Sequence, residues 1–515
     1  MDPFTYLIPS LLNQEKVQKK LPAIRHYQLA LDSGEKQKGL LLDTFDAKLR
    51  QSNQLLFQAG TMLSLYELKT GQMFEQTASE DWAFPADLEP GPVSSRLLQV
   101  SRLRAFLPVA GVTFSLGHGS LLDDEGKTRV RLVHLFISCR QRSVGIGCTQ
   151  YLRGYDQAHE DLRLALEETG AVFCRDVGVV FDVLGIKQEI YTAKPKVALN
   201  PDAPVKQSAR KIIRSFLRIA RRNEKGLVAD YDTEFLHDYR VSLRKVRSVL
   251  SLFKGVFSPE QTDQLKKNFA SLMQKTNALR DLDVYLLNRS QYFDLVPADT
   301  HEGLEILFRY FEGERQKEQK QVSRVLKSKE YQNEIDRLKK MFADGSSLPS
   351  GPRGEEKSFE FACGLVKKRY DKVCKIARAI DDQSEDSVVH RLRIQCKKLR
   401  YLLEFFAPLF PEDESKSLII ALKQLQDNLG NFNDYSVQQR FLRQVLNNTI
   451  PDFNGREIKV AESIGALTTM LHRLQWKERR QVMKNFARFD SPEVHTIVTK
   501  LFNIEGSENE NNCLL

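Results

Sequence analysis

The hydrophobic pattern changes character once along the chain. From about Ile24 to Thr192, short apolar runs are broken by Gly, Pro and Asp. Thr61 to Leu68 alternates cleanly, which is the period of a half-buried strand, and Val130 to Ile137 is another short apolar run. A helix is predicted over about Asp156 to Thr169, and the region as a whole reads as α+β and rich in strands. Residues 193–204 hold three prolines in twelve positions and can continue neither element, which predicts a linker. After it, long segments of helical period with few breakers run to about Phe502. A second Gly/Ser/Pro-rich break, 343–357, divides this helical half. The expected organisation is 1–192, a linker at 193–204, helical bundles at 205–342 and 358–503 joined by a linker at 343–357, and a disordered Asn/Glu-rich tail at 504–515.

The helical half is duplicated. His237-Asp-Tyr-Arg240-Val-Ser-Leu-Arg244-Lys245-Val-Arg247 is matched without a gap by His390-Arg-Leu-Arg393-Ile-Gln-Cys-Lys397-Lys398-Leu-Arg400. Each copy runs into an apolar segment, Leu250 to Phe257 and Leu403 to Phe410. About 40 residues after each His a second element repeats, Leu279-Arg-Asp281-Leu-Asp283 against Leu429-Gly-Asn431-Phe-Asn433. At about 100° per residue, the cations three, seven and ten places after the His share one stripe with it, and the Lys at eight flanks that stripe. The apolar positions Leu243, Val246, Val249 and Leu250, with Cys396, Leu399, Leu402 and Leu403, fall opposite. One face packs and the other is cationic. The preceding helices carry stripes of their own, Arg210, Arg214, Arg218 and Arg221 in one and Lys368, Lys372 and Lys375 in the other. These four helices are expected to turn cations toward a common surface. Asp281, Asp283, Asn431 and Asn433 read either as cap or turn residues or as acceptors that orient the basic side chains.

Charge sharpens the picture because it is unevenly placed. Residues 1–200 hold 23 basic and 23 acidic side chains, so the whole formal excess of +10 lies in the helical half. Hydrophobic residues at 41% and charged residues at 28% exclude neither compactness nor solubility and favour no membrane class. The seven cysteines are scattered, without metal-ligand spacing, and read as reduced thiols. The acidic, Pro-containing start lacks the pattern of a secretory signal, so a cytoplasmic protein is expected.

At the repeated motifs the chain resembles the conserved histidine α-helical domain family, CHAD, over roughly residues 205–503. The resemblance implies an all-α fold of two pseudo-twofold-related four-helix bundles, with a basic central groove or pore that binds inorganic polyphosphate. It also implies that His237, Arg240, Arg244, Lys245, Arg247, His390, Arg393, Lys397, Lys398 and Arg400 line the phosphate path. Lys397 stands where the first copy has Arg, which keeps the charge and loses the bidentate fork. The first 190 residues resemble a diverged CYTH, or triphosphate-tunnel, domain, on Leu42-Asp43-Thr44-Phe45-Asp46-Ala47-Lys48-Leu49 and Leu152-Arg153-Gly154-Tyr155-Asp156. Active members open on a strand reading Glu-x-Glu-x-Lys. The region taken as its equivalent, Arg25 to Leu31, has neither Glu nor Lys, which implies a degenerate, non-catalytic domain without a metal or other cofactor.

The expected function is therefore a polyphosphate-binding protein without catalytic activity, in the cytoplasm and on polyphosphate granules. Histidines facing the polyanion are expected to gain protons, so that affinity rises as pH falls from about 8 to 6. Two other classes compete. A CYTH-type triphosphate hydrolase needs carboxylates that the expected strand lacks. A nucleic-acid binder would use the same cations non-specifically, but the stripe lacks aromatic platforms and base-reading side chains.

Overall fold

The computed structural model describes residues 4–21, 26–187, 189–381, 383–449 and 455–502. The expected tail at 504–515 lies outside them. The chain forms two compact units, Met1–Thr192 and Ala193–Leu515.

The first unit is one antiparallel sheet with short helices. In chain order it contains β1 (Phe4–Ile8), α1 (Gln14–Gln18), β2 (Gln28–Leu31), β3 (Gln37–Thr44), α2 (Lys48–Gln51), β4 (Gln54–Ala59), β5 (Met62–Glu67), β6 (Gln72–Thr77) and α3 (Pro92–Val100). There follow β7 (Phe106–Leu122), β8 (Thr128–Cys139), β9 (Arg142–Tyr151), α4 (Asp156–Glu168), β10 (Val172–Phe173) and α5 (Gly178–Val183). The strand order is β10-β1-β9-β8-β7-β3-β4-β5-β6, with β2 paired to β7 alone. Two sequence expectations change here. The unit's first strand is β1, not the segment after Arg25; β2 is a side strand, and β1 (Phe4-Thr5-Tyr6-Leu7-Ile8) also lacks Glu and Lys. The alternating β5 is covered on both faces: Leu63, Ser64, Leu65 and Tyr66 are all buried. Leu65 packs with Leu42, Leu56 and Trp82 on one side, while Tyr66 packs with Leu55, Phe57 and Leu135 on the other.

The second unit is all-helical, and the duplication runs through it helix by helix. The first copy is α6 (Val205–Ala229), α7 (Thr233–Leu252), α8 (Pro259–Gln274), α9 (Asn277–Leu287), α10 (Arg289–Leu295), α11 (His301–Lys327) and α12 (Lys329–Asp344). The second is α13 (Ser358–Arg378), α14 (Asp386–Phe406), α15 (Glu412–Thr449), α16 (Glu457–Phe489) and α17 (Pro492–Phe502). With α8, α9 and α10 taken together, each half is a bundle of four helical segments followed by a shorter helix. The first copy breaks α15's counterpart into α8, α9 and α10. At the first break the Thr276 hydroxyl donates to the Met273 carbonyl at 2.9 Å, a side-chain bond that competes with the helix ladder. The residue in its place in the second copy is Gln426, which reaches instead to the Cys396 carbonyl at 2.6 Å.

Local twofold symmetry is legible in reciprocal contacts. His237 and His390 stand 153 residues apart, and the same offset relates Val205 to Ser358 and Ala203 to Glu356. Val205 N–H donates to the Glu356 carbonyl at 2.8 Å, and Ser358 N–H donates to the Ala203 carbonyl at 2.9 Å. The counterparts Phe253 and Phe406 stack at 4.9 Å with planes 9° apart. When each residue meets its own equivalent, a twofold relation lies between them. The segment 343–357 is pinned within this arrangement: Gly351 and Arg353 donate their amides to Val256 and Gly255, so it is structured backbone and not a loose tether. The two halves also share one core, in which Leu282, Tyr285, Leu307 and Phe311 pack with Leu442, Ile464, Leu467 and Leu471.

Candidate functional site

The helices that carry the motifs, α7 and α14, hold their places through opposite faces. Asp232 caps α7 by accepting from the Glu234 and Phe235 amides at 2.9 and 3.2 Å. Leu243, Val246, Val249 and Leu250 are buried, as are Cys396, Leu399, Leu402 and Leu403. That packing turns Arg244 and its counterpart Lys397 toward one another. Lys397 is pushed down to about 8, first by burial and then by the positive charges of Arg244 and Arg393, with Arg400 adding to them and Asp434 opposing. Tyr401, hydrogen-bonded by Arg244, lies between the two copies, and the Lys397 ammonium sits 6.0 Å from its ring centre.

Around this pair the motif residues divide into those with open charge and those already engaged. Arg240 is buried; one terminal nitrogen donates to the Met273 carbonyl at 3.0 Å and to Thr276 Oγ1 at 2.7 Å. Burial, followed by Arg244, lowers its guanidinium to about 10. Arg393 is half-buried with Asp434 at 3.6 Å, and Arg400 donates to Glu404 at 2.8 Å and Gln426 at 3.2 Å. Arg247 reaches the Met273 sulfur at 3.6 Å. Lys245 departs from expectation. It is buried, pairs with Glu404 at 2.9 Å and stands 4.9 Å from the Phe216 ring centre, so its charge serves the junction of the two copies. Lys398 is lowered by burial and by Arg369, Lys372 and Lys254, which form a second cationic group.

The stripes on α6 and α13 do not share a surface in the way the sequence suggested. The offset of 153 places Arg214 on Lys367 and Arg218 on Asp371, whereas Lys368 and Lys372 fall on Ser215 and Ile219. The stripes are therefore a residue, or about 100°, out of phase. Arg210 is a structural group: it donates to the Ala343 carbonyl at 2.8 Å and reaches Phe342 O, satisfying the open carbonyl end of α12. Arg221 bonds Glu224 at 2.7 Å and Gln332 at 2.9 Å. Arg214, Arg218, Lys368, Lys372 and Lys375 are exposed, and Lys375 lines a hollow of about 520 Å³ with Lys367, Tyr370, Arg378 and His495.

The two histidines use the same ring nitrogen in opposite ways. His237 Nδ1 lies 2.9 Å from an Arg280 terminal nitrogen. A guanidinium has no lone pair to offer, so His237 accepts and its ring proton is on Nε2. His390 Nδ1 lies 2.8 Å from Asn433 Oδ1, so there the ring donates. The acidic and amide residues after each motif are neither caps nor turns, since they lie inside α9 and α15. Three of them are acceptors or donors for side chains: Asp283 takes Arg315 at 2.9 Å, Asn433 holds His390, and Asn431 donates to Glu478 at 3.3 Å. Sequence reasoning missed Arg280, Glu404, Tyr401 and Arg369. Arg280 sits within the repeated element, but its counterpart is Gly430, so a search for matched residues passes over it.

In the first unit, the Asp43 carboxylate that carries much of the CYTH resemblance builds a turn. It accepts from the amides of Thr44, Leu49 and Arg50 at 2.7, 2.9 and 3.1 Å, and burial nonetheless raises it to about 6. Among the described residues, no three His, Cys, Asp or Glu come together as metal ligands, and no helix is long and apolar enough to cross a membrane. The strand-rich unit is consistent with a CYTH-like domain.

No curated protein matches the chain. Among solved structures it is similar to the crystal structure of the CHAD domain from the plant Ricinus communis, at 25% identity over 58% of this chain and 96% of that one, with a TM-score of 0.49. It is also similar to PptA from Streptomyces chartreusis, at 15% identity over 56% of this chain and 98% of that one, with a TM-score of 0.39. The family model for the CHAD domain matches residues 211–443, a span that takes in α7 and α14 with both His-headed motifs; this chain carries a CHAD domain.

Proposed function

We propose that the helical unit binds inorganic polyphosphate without acting on it, holding the polyanion along the cations that α7 and α14 present at the local twofold axis. The observation that carries this reading is the convergence of Arg244 and Lys397, with Arg240, Arg393 and Arg400 beside them. Like charges held together by the fold raise its free energy, and a ligand with a regular row of phosphates relieves that repulsion while releasing its own counterions. Guanidinium forks suit phosphoryl oxygens, and the lysine acts as a point charge. The strand-rich unit is read as non-catalytic, and the protein as cytoplasmic and granule-associated.

Binding of labelled long-chain polyphosphate to the intact protein, measured from 50 to 500 mM salt, tests the proposal. Affinity is expected to fall steeply, with a slope of about −0.7 in log K against log salt per phosphate neutralised. An affinity unchanged across that range would rule out the mechanism. Equal competition by single-stranded RNA at matched phosphate concentration would favour the non-specific nucleic-acid reading instead. Phosphate release from tripolyphosphate with added Mg²⁺ would overturn the non-catalytic assignment.

Above about pH 7 the pH response is expected to follow Lys397. Its free-chain value of 10.5 is depressed to about 8 in the folded protein. As pH falls between these values the unfolded chain takes up the proton first, so stability declines, and below about 8 the penalty is complete. A bound polyanion restores the proton, so the contribution of Lys397 is complete below about 7 and affinity falls roughly tenfold from pH 7 to 9. Lys397→Arg, which copies the first half and does not titrate there, is expected to flatten this profile.

A further inference from the structure

The two copies are not equivalent where their cations converge, and the difference is concentrated at Arg280. This residue stands on α9 in the first copy, whereas the second copy has Gly430 on α15. Arg280 is half-buried near Arg240 and Arg244, with Asp281, Asp283 and Glu234 as the carboxylates around it. Asp283 is already held by Arg315 at 2.9 Å. One Arg280 terminal nitrogen rests on His237 Nδ1 at 2.9 Å, while its other terminal nitrogen and Arg240 Nε have no acceptor among the described residues. Charged donors left unmade in a low-dielectric setting are costly, and a neutral ring nitrogen is a weaker acceptor for a guanidinium than a phosphoryl oxygen. The first copy therefore offers three guanidinia, Arg240, Arg244 and Arg280, where the second offers Arg393 and Lys397.

Phosphates within a linear chain have two non-bridging oxygens and one negative charge. A terminal phosphate has three such oxygens and carries nearly two charges at neutral pH, because its second ionisation lies near pH 6. We infer that the first copy is a seat for the chain end, in which Arg280 leaves His237 to grip the third oxygen, so that polyphosphate lies in the groove with its terminus at α7 and α9. This rests on the polyphosphate reading proposed above and adds polarity to it.

The test compares two polyphosphates of one defined length, one with free ends and one with both terminal phosphates blocked as monoesters, against the full-length protein, Arg280→Ala and Gly430→Arg. A Cβ at Gly430 would meet nothing within 4 Å, so the second change has room. The unaltered protein is expected to prefer free ends by about tenfold, the loss of one charge-assisted contact. Arg280→Ala should abolish that preference, weakening the free-ended chain about tenfold more than the blocked one, and Gly430→Arg should increase it. Arg280→Ala that still folds, by its circular dichroism, and keeps the full preference would overturn the end seat while leaving groove binding intact. Failure of the unaltered protein to bind either polymer would instead overturn the underlying reading and the end seat together.

Discussion

Replacing Arg244, Arg393 and Lys397 together by Ala is expected to weaken binding of long-chain polyphosphate about a thousandfold, with the protein still folded. Hydrogen bonds to charged groups contribute about 1.5 kcal/mol or more each, and three of them amount to roughly the 4 kcal/mol that separates nanomolar from micromolar binding. The salt slope should drop by about two at the same time, since three phosphate contacts disappear. Arg240 is left in place because its bonds to Met273 and Thr276 tie α7 to the end of α8, and its truncation would confuse binding with folding. The triple change also removes mutually repelling charge around Lys397, so the thermal midpoint should hold or rise. Removal of three exposed cations elsewhere, Arg214, Arg218 and Lys368, is expected to weaken binding by tenfold at most. Equal losses from the two triple variants would mean that net charge alone binds the polyanion and that the axis has no special role.

The largest stability effect is expected at Phe253. Its ring stacks on Phe406 at 4.9 Å and also meets Phe361 at 5.6 Å, and all three are buried. Phe253→Ala should cost about 3–5 kcal/mol, because the opposed ring cannot close the cavity without moving its own helix. That is a large part of the stability of an ordinary domain. Chemical denaturation followed at 222 nm should show the helical signal of both halves lost together at a lower midpoint, because Leu282 to Phe311 and Leu442 to Leu471 share one core. Two separate helical transitions, with only one displaced, would show instead that the copies fold independently.

Much of this was legible in the chain because periodicity and repetition are local properties. The motif's apolar face fixed the packing side of α7 and α14, the duplication fixed their equivalence, and the charge excess located the polyanion reading in the helical half. A stripe of cations on one helix, however, says nothing of what lies opposite. Only the tertiary structure placed Glu404 against Lys245, the end of α12 against Arg210, and Arg244 against its own counterpart Lys397. The α6 and α13 stripes looked alike by spacing and differ by a turn of about 100°, which becomes visible only when the helices are superposed through the twofold relation. Arg280 was hidden for the reason that makes it informative: a repeat reveals what two copies share, while the field at a site depends on every charge that folding brings within a few ångströms, shared or not.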